Sequence, residues 1–217
     1  MKIQYLILLL IFKTTTVFSQ ITNIQEHFSF GYGYRKNMSA TTLSYHGMFI
    51  YGKKQIIHAG FGFRLTAFSE PSKDFTGVTK NISDIKITPA AKVNINAINL
   101  PIYLEFHSKY LFVGGNIDLL GFSFGKKKDV LSVIGIKKPD SLFVKPTVIN
   151  FFGRGTNNAE VYIGFKPKEE ISIRLGLSLL KTEYHAQYRN AAKNNEFGRF
   201  YHQAMMPFIS IVLNNDR

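Results

Sequence analysis

The 217-residue sequence has no cysteine and no tryptophan, and it has only 14 acidic residues against 27 Lys and Arg. Without cysteine the chain can form neither a disulfide framework nor the lipid attachment of a bacterial lipoprotein. Long hydrophobic runs are also absent, because the longest, at residues 3–12, is about half of the roughly 20 residues that a spanning helix needs. These absences exclude a disulfide-stapled fold, a lipoprotein and a helical membrane protein.

The first 19 residues have the pattern of a secretory signal peptide. Lys2 precedes the apolar run, and the small residues Val17 and Ser19 match the usual cleavage signal. An N-terminal anchor helix is the alternative, but Lys13 ends the apolar run too early for one. We predict cleavage between Ser19 and Gln20, which leaves residues 20–217 as one exported domain.

Apolar and polar residues alternate with a period of two in eight later segments. This period is typical of β-strands that present an apolar and a polar face. In the fifth segment, for example, Leu111, Val113, Ile117 and Leu119 are expected on the apolar face. The fourth segment contains one proline, Pro101, which cannot donate a hydrogen bond to a neighbouring strand. The segments lie at residues 27–35, 41–51, 57–66, 98–106, 111–119, 160–165, 171–179 and 205–213.

The connections between these segments differ in length in a regular way. Three long polar loops, at residues 69–94, 125–158 and 181–203, are the third, fifth and seventh of seven connections. Outer-membrane barrels have short turns on one side of the membrane and longer loops on the other. The pattern predicts an all-β fold, an eight-stranded antiparallel up-and-down transmembrane β-barrel.

A soluble secreted, ligand-binding barrel of the lipocalin type would show the same period, so the composition of the polar face must distinguish it from a membrane barrel. A soluble barrel would fill that face with Lys, Glu and Asp. Here the face is mostly Gly, Ser, Thr and Asn, which suits a cramped interior where glycines relieve crowding. Five isolated charges of both signs are expected to neutralise one another inside, and they are Arg64, Glu105, Asp118, Glu160 and Arg174.

Two of these segments and the end of the signal peptide resemble a known group. Residues 28–33, residues 98–106 and the ending Phe18-Ser19-Gln20 are similar to the small outer-membrane β-barrel proteins of Bacteroidota. The resemblance covers about residues 26–213 and extends in architecture to the eight-stranded OmpA and OmpX barrels. It implies a location in the outer membrane of a Gram-negative bacterium, with outer-membrane lipids, lipopolysaccharide and other envelope proteins as partners.

Ser44, His46 and His58 share the predicted inner face of the second and third strands, where the two histidines are expected to lie across from each other or nearly so. A Ser–His pair can activate a nucleophile, so an outer-membrane lipid-modifying enzyme is the alternative function. No carboxylate on this hairpin would orient a histidine, and we favour filling of the interior. We expect neither enzyme activity nor a cofactor.

The third long loop contains His185 and His202 together with Glu183 and Glu196. A metal site there is conceivable, but the spacing matches no ligand motif, so we expect no metal.

Basic residues are concentrated in the second long loop, at Lys126, Lys127, Lys128, Lys137 and Lys138. Such runs are usually solvated, and contact with lipopolysaccharide phosphates or another polyanion is the functional alternative. The overall charge of +13 does not indicate a nucleic-acid partner, because no basic run is interleaved with base-stacking aromatics. We predict a non-enzymatic barrel that acts through its loops, in adhesion, envelope integrity or support of a secretion or assembly machine.

Overall fold

A computed structural model describes residues 21–77, 86–134, 139, 141–143, 156–187 and 199–215, which form twelve β-strands and no helix. The predicted signal peptide lies outside the described residues. The strands are β1 (Ile21–Arg35), β2 (Met38–Tyr51), β3 (Ile57–Glu70), β4 (Phe75–Gly77), β5 (Lys86–Pro89), β6 (Val93–His107), β7 (Leu111–Gly125), β8 (Val130–Ile134), β9 (Ser141–Phe143), β10 (Asn157–Lys168), β11 (Ile171–Gln187) and β12 (Arg199–Asn215).

Eight long strands close into a barrel. In the order β1, β2, β3, β6, β7, β10, β11 and β12, each pairs antiparallel with the next, and β12 pairs with β1. This confirms the predicted all-β, eight-stranded, up-and-down barrel. Following paired residues once around the wall from Asn23 leads back to β1 at Gly33. The strands are therefore staggered, and they tilt relative to the barrel axis.

The two ends of the barrel differ. The turn end has three short turns, at residues 52–56, 108–110 and 169–170, and both chain ends of the barrel. The loop end has the three long connections and one tight turn at Lys36 and Asn37. Both turn residues have positive φ, 39° and 68°, which gives a two-residue hairpin the twist of its flanking strands.

The outer face is apolar on all eight strands, as the alternation predicts. Phe61 and Phe63 are 63% and 61% exposed, whereas Gly62 between them faces the interior. We call the exposed apolar residues of the outer face the apolar belt. It comprises Ile24, Phe28, Phe30, Tyr32, Tyr34, Leu43, Tyr45, Ile57, Phe61, Phe63, Leu65, Ile98, Leu100, Ile102, Leu104, Phe106, Leu111, Val113, Ile117, Leu120, Phe122, Phe124, Val161, Ile163, Phe165, Leu175, Leu177, Leu179, Met205, Ile209, Ile211 and Leu213.

A β-bulge interrupts the pairing of β6 with β7. Pro101 pairs with Asp118 while the residue before it pairs with Leu120, so Leu119 is the extra residue. Beyond it the outward positions of β7 are even-numbered, as at Phe122. Leu111, Val113 and Ile117 face outward as predicted, and Leu119, expected with them, is half-buried at the bulge. Proline has no N–H for the ladder, and the extra residue on the partner strand accommodates this break in pairing.

The long connections contain more strand than the sequence predicts. β4 and β5 lie in the first, β8 and β9 lie in the second, and β11 and β12 extend into the third. The polarity of the wall also reverses at the loop end. On β6, Val93 and Ile95 face inward there, while Asn94 and Asn96 face outward. The predicted polar loops at residues 69–94 and 181–203 are therefore partly wall.

Candidate functional site

The barrel interior contains a layer of charged and amide groups nearer the loop end, which we call the upper layer. Arg64 lies at its centre, and its side chain is 1% exposed. Its Nη1 lies 3.7 Å from an Asp118 oxygen and 3.4 Å from a Glu160 oxygen, and its Nη2 donates to the side-chain carbonyl of Asn116. Asn99 Nδ2 and the backbone N–H of Asn158 donate to Asp118 at 2.5 Å and 2.8 Å.

A second layer, the lower layer, lies nearer the turn end and is centred on Glu105. One of its carboxylate oxygens accepts from Arg174 Nη2 and from the Tyr162 hydroxyl, each at 2.7 Å. The other oxygen lies 2.6 Å from His107 Nε2. The guanidinium of Arg174 also lies over the Tyr162 ring, 4.8 Å from its centroid.

The two layers confirm that the five predicted charges lie in the interior, where two arginines contact three carboxylates. All five side chains are buried or nearly so, and each arginine faces a carboxylate. His107 directly follows the fourth predicted segment and was not expected in the interior, and Tyr162 was given no role. The available signal was position: His107 lies two residues after Glu105 on β6, and Tyr162 lies on β10, which pairs with the strand of Arg174.

Glycines on the inner wall make room for these groups. A Cβ at Gly164 would overlap the Phe112 ring, and a Cβ at Gly114 would lie 2.7 Å from Glu105 Cγ and 3.1 Å from Tyr162 Cε2. The prediction that inward glycines relieve crowding is confirmed.

The candidate catalytic hairpin does not have the predicted geometry. His46 pairs with Gly62 and His58 pairs with Ile50, so the two histidines are offset along the hairpin and do not lie across from each other. The period gives the face of a residue but not the register, which the turn at residues 52–56 sets. Ser44, which pairs with Arg64, is buried on the same face.

Both histidines are instead held by stacking. The His46 ring lies between His27 and Tyr103, at centroid distances of 5.1 Å and 4.1 Å, and its Nε2 is 3.3 Å from Arg174 Nη2. The His58 ring stacks on His107 at 3.7 Å. These contacts favour interior filling over a Ser–His pair.

The loop end carries a ring of short strands, which we call the collar. β8, β5 and β4 pair in that order onto β12, and β9 pairs with β11. Two backbone hydrogen bonds between Lys128 and Leu142, at 2.8 Å and 2.7 Å, connect β9 to the segment that leads into β8. The collar surrounds a buried apolar cluster of Phe75, Ile87, Val93, Ile95, Val130, Leu142, Tyr184 and Phe200. Apolar side chains therefore fill the interior at the loop end.

Two polar side-chain contacts border this cluster. His202 Nδ1 lies 2.7 Å from an oxygen of Glu70, which is fully buried. Arg199 donates two hydrogen bonds to Glu183, at 2.7 Å and 2.8 Å, and these raise the pKa of the arginine, which lies beyond the apolar belt. Burial raises the pKa of the nearby Tyr184 hydroxyl, because the cluster offers little water to a phenolate.

The candidate metal ligands are thereby separated. His185 and Arg199 share Glu183, whereas His202 lies against Glu70, and Glu196 is outside the described residues. Within the part of the chain that the structure describes, no group of three or more His, Cys, Asp or Glu side chains could hold a metal ion.

Of the predicted basic residues, Lys126 and Lys127 are exposed at the loop end, and Lys128 is half-buried in the collar. Lys137 and Lys138 lie outside the described residues.

Neither protein-family models nor the sequences of curated proteins gave a match to this chain. In the described ranges there is no helix long and apolar enough to cross a membrane.

Proposed function

We propose that the protein is a non-enzymatic integral barrel of a Gram-negative outer membrane that acts through its loop end. The observation that carries the proposal is the apolar belt, which surrounds a closed wall on all eight strands. Soluble proteins rarely expose apolar patches of more than a few hundred Å², whereas a closed barrel with an apolar exterior satisfies its backbone inside lipid. The predicted signal peptide supports export.

The height of the belt supports the same conclusion. On β6 it extends from Ile98 to Phe106, which at about 3.4 Å per residue is roughly 27 Å along the strand. A tilt of about 40° shortens this to roughly 20 Å, close to the apolar band of about 25 Å in outer-membrane barrels.

The interior supports a structural role. The two charged layers and the collar occupy space that a soluble ligand-binding barrel would leave for its ligand. The exposed lysines of the loop end, Lys126 and Lys127, remain the proposed contacts for lipopolysaccharide phosphates or another polyanion.

Cell fractionation tests the membrane location. A barrel inserted in lipid is not released by alkali, so the chain should stay in the outer-membrane fraction after a carbonate wash. A closed barrel also resists unfolding in mild detergent, so the unboiled protein should migrate faster on a detergent gel than the boiled protein. Recovery in the periplasm or medium would contradict the proposal.

Cysteine labelling tests the orientation, and the absence of native cysteine gives a clean background. Long loops of outer-membrane barrels face outward, so Lys127→Cys should react in whole cells with a membrane-impermeant maleimide. Lys53→Cys at the turn end, the matched control, should react only after lysis. Labelling of Lys53→Cys alone would show that the orientation is inverted.

A further inference from the structure

Two small residues leave a groove in the apolar belt. Gly115 on β7 and Ala159 on β10 occupy outward positions, and their small size leaves space between the larger apolar side chains around them. Gly115 pairs with Val161, and Ala159 pairs with Ile117, so the two lie in neighbouring rows of the same wall. The resulting groove has a volume of about 1010 Å³, and Leu104, Val113, Leu177 and Leu179 are among its walls.

Polar side chains lie at the loop end of this groove. Leu177 and Leu179 line it, and Lys181 is the next outward residue on the same strand. Lys181 pairs with Asn157 on β10 and with Gln203 on β12, and its Nζ lies 5.1 Å from the centroid of the Tyr201 ring. An apolar groove therefore leads directly to a cation, two amides and a phenol.

We propose that this groove is a lipid-binding site, which holds an acyl chain in the groove and an anionic phosphate headgroup at Lys181. The inference rests on the proposed membrane location. The volume is at the top of the range of about 300 to 1,000 Å³ found for sites that hold small organic ligands. A second copy is a poorer occupant, because a two-fold interface through this face would set one concave surface against another.

Native mass spectrometry of the full chain in dodecyl maltoside tests the proposal, with dimyristoyl phosphatidylglycerol and dimyristoyl phosphatidylcholine as probes. Ala159→Leu fills the groove and should lower the retention of both lipids. Lys181→Gln should lower only the preference for phosphatidylglycerol, by about fivefold, since one cation near anionic headgroups contributes about that factor. Gly47→Leu, at an outward glycine whose added Cβ meets nothing within 4 Å, and Lys53→Gln are the matched controls.

Two results would overturn the proposal. One is unchanged lipid retention in both variants, with folding confirmed by the gel shift of unboiled protein. The other is a wild-type dimer that Ala159→Leu dissociates without loss of lipid, which would assign the groove to a second copy. Neither result bears on fractionation, so the lipid site can fail while the membrane location stands, and a failed carbonate wash would contradict the location directly.

Discussion

Glu105 binds three side chains in the lower layer, and its negative charge faces the buried Arg174. Glu105→Gln would remove the carboxylate that contacts that guanidinium. Breaking a buried ion pair from one side costs about 3 to 5 kcal/mol. We expect the free energy of unfolding, measured by urea titration in lipid vesicles, to fall by about 3 kcal/mol in this variant.

The double variant Glu105→Gln/Arg174→Gln is the control, because it removes both charges. It should lose less stability than Glu105→Gln alone. If the single variant is as stable as the wild type, Arg174 is solvated and the interior is not packed as described.

Within the eight predicted segments the sequence was sufficient to predict which charges lie inside, because strand alternation fixes the face of each residue. It did not predict the burial of Glu70 and Glu183, which it placed in polar loops. It could not predict which charges meet. Arg64 on β3 contacts Asp118 on β7 and Glu160 on β10, and those distances depend on the stagger of the whole barrel. For the same reason the offset of His46 from His58 was not predicted.

The bulge at Leu119 sets the register of the upper part of β7. Deleting Leu119 removes the bulge and leaves the pairing on either side unchanged, so Phe122 and Phe124 keep their outward faces. We expect this deletion variant to give a heat-modifiable band on a detergent gel. Deletion of Gly121, a paired residue of the regular ladder, turns Phe122 and Phe124 inward and should give no such band. Loss of the band in the Leu119 deletion would show that Pro101 needs the bulge opposite it.

Pro101 indicated an irregularity in the fourth segment, but the sequence did not reveal that the partner strand carries the extra residue. The same limit applies at the loop end. There the period of two continues, but the inward residues, Val93 and Ile95, are apolar and the outward residues are polar. The alternation alone gave no reason to expect this reversal. The short strands of the collar were therefore not predicted, although their apolar residues are visible in the sequence.

The barrel as a whole should not conduct ions. Two layers of paired charges and the apolar cluster of the collar lie in series along the interior. Eight strands leave an interior only wide enough for side chains to fill. We expect purified protein in planar bilayers to give no stable conductance, in contrast to a porin control. Steady ion-selective openings would contradict the filled interior.

The collar has a consequence for recognition. Its strands are tied to β11 and β12 by backbone hydrogen bonds, and four of its apolar side chains, Phe75, Ile87, Val130 and Leu142, are buried in the cluster that it surrounds. The described part of the loop end therefore offers binding groups in fixed positions instead of a mobile chain. A molecule that binds this surface loses little entropy to the ordering of its partner, so its affinity is set by shape and charge complementarity from the first encounter. Association should accordingly resemble rigid docking and not coupled folding and binding.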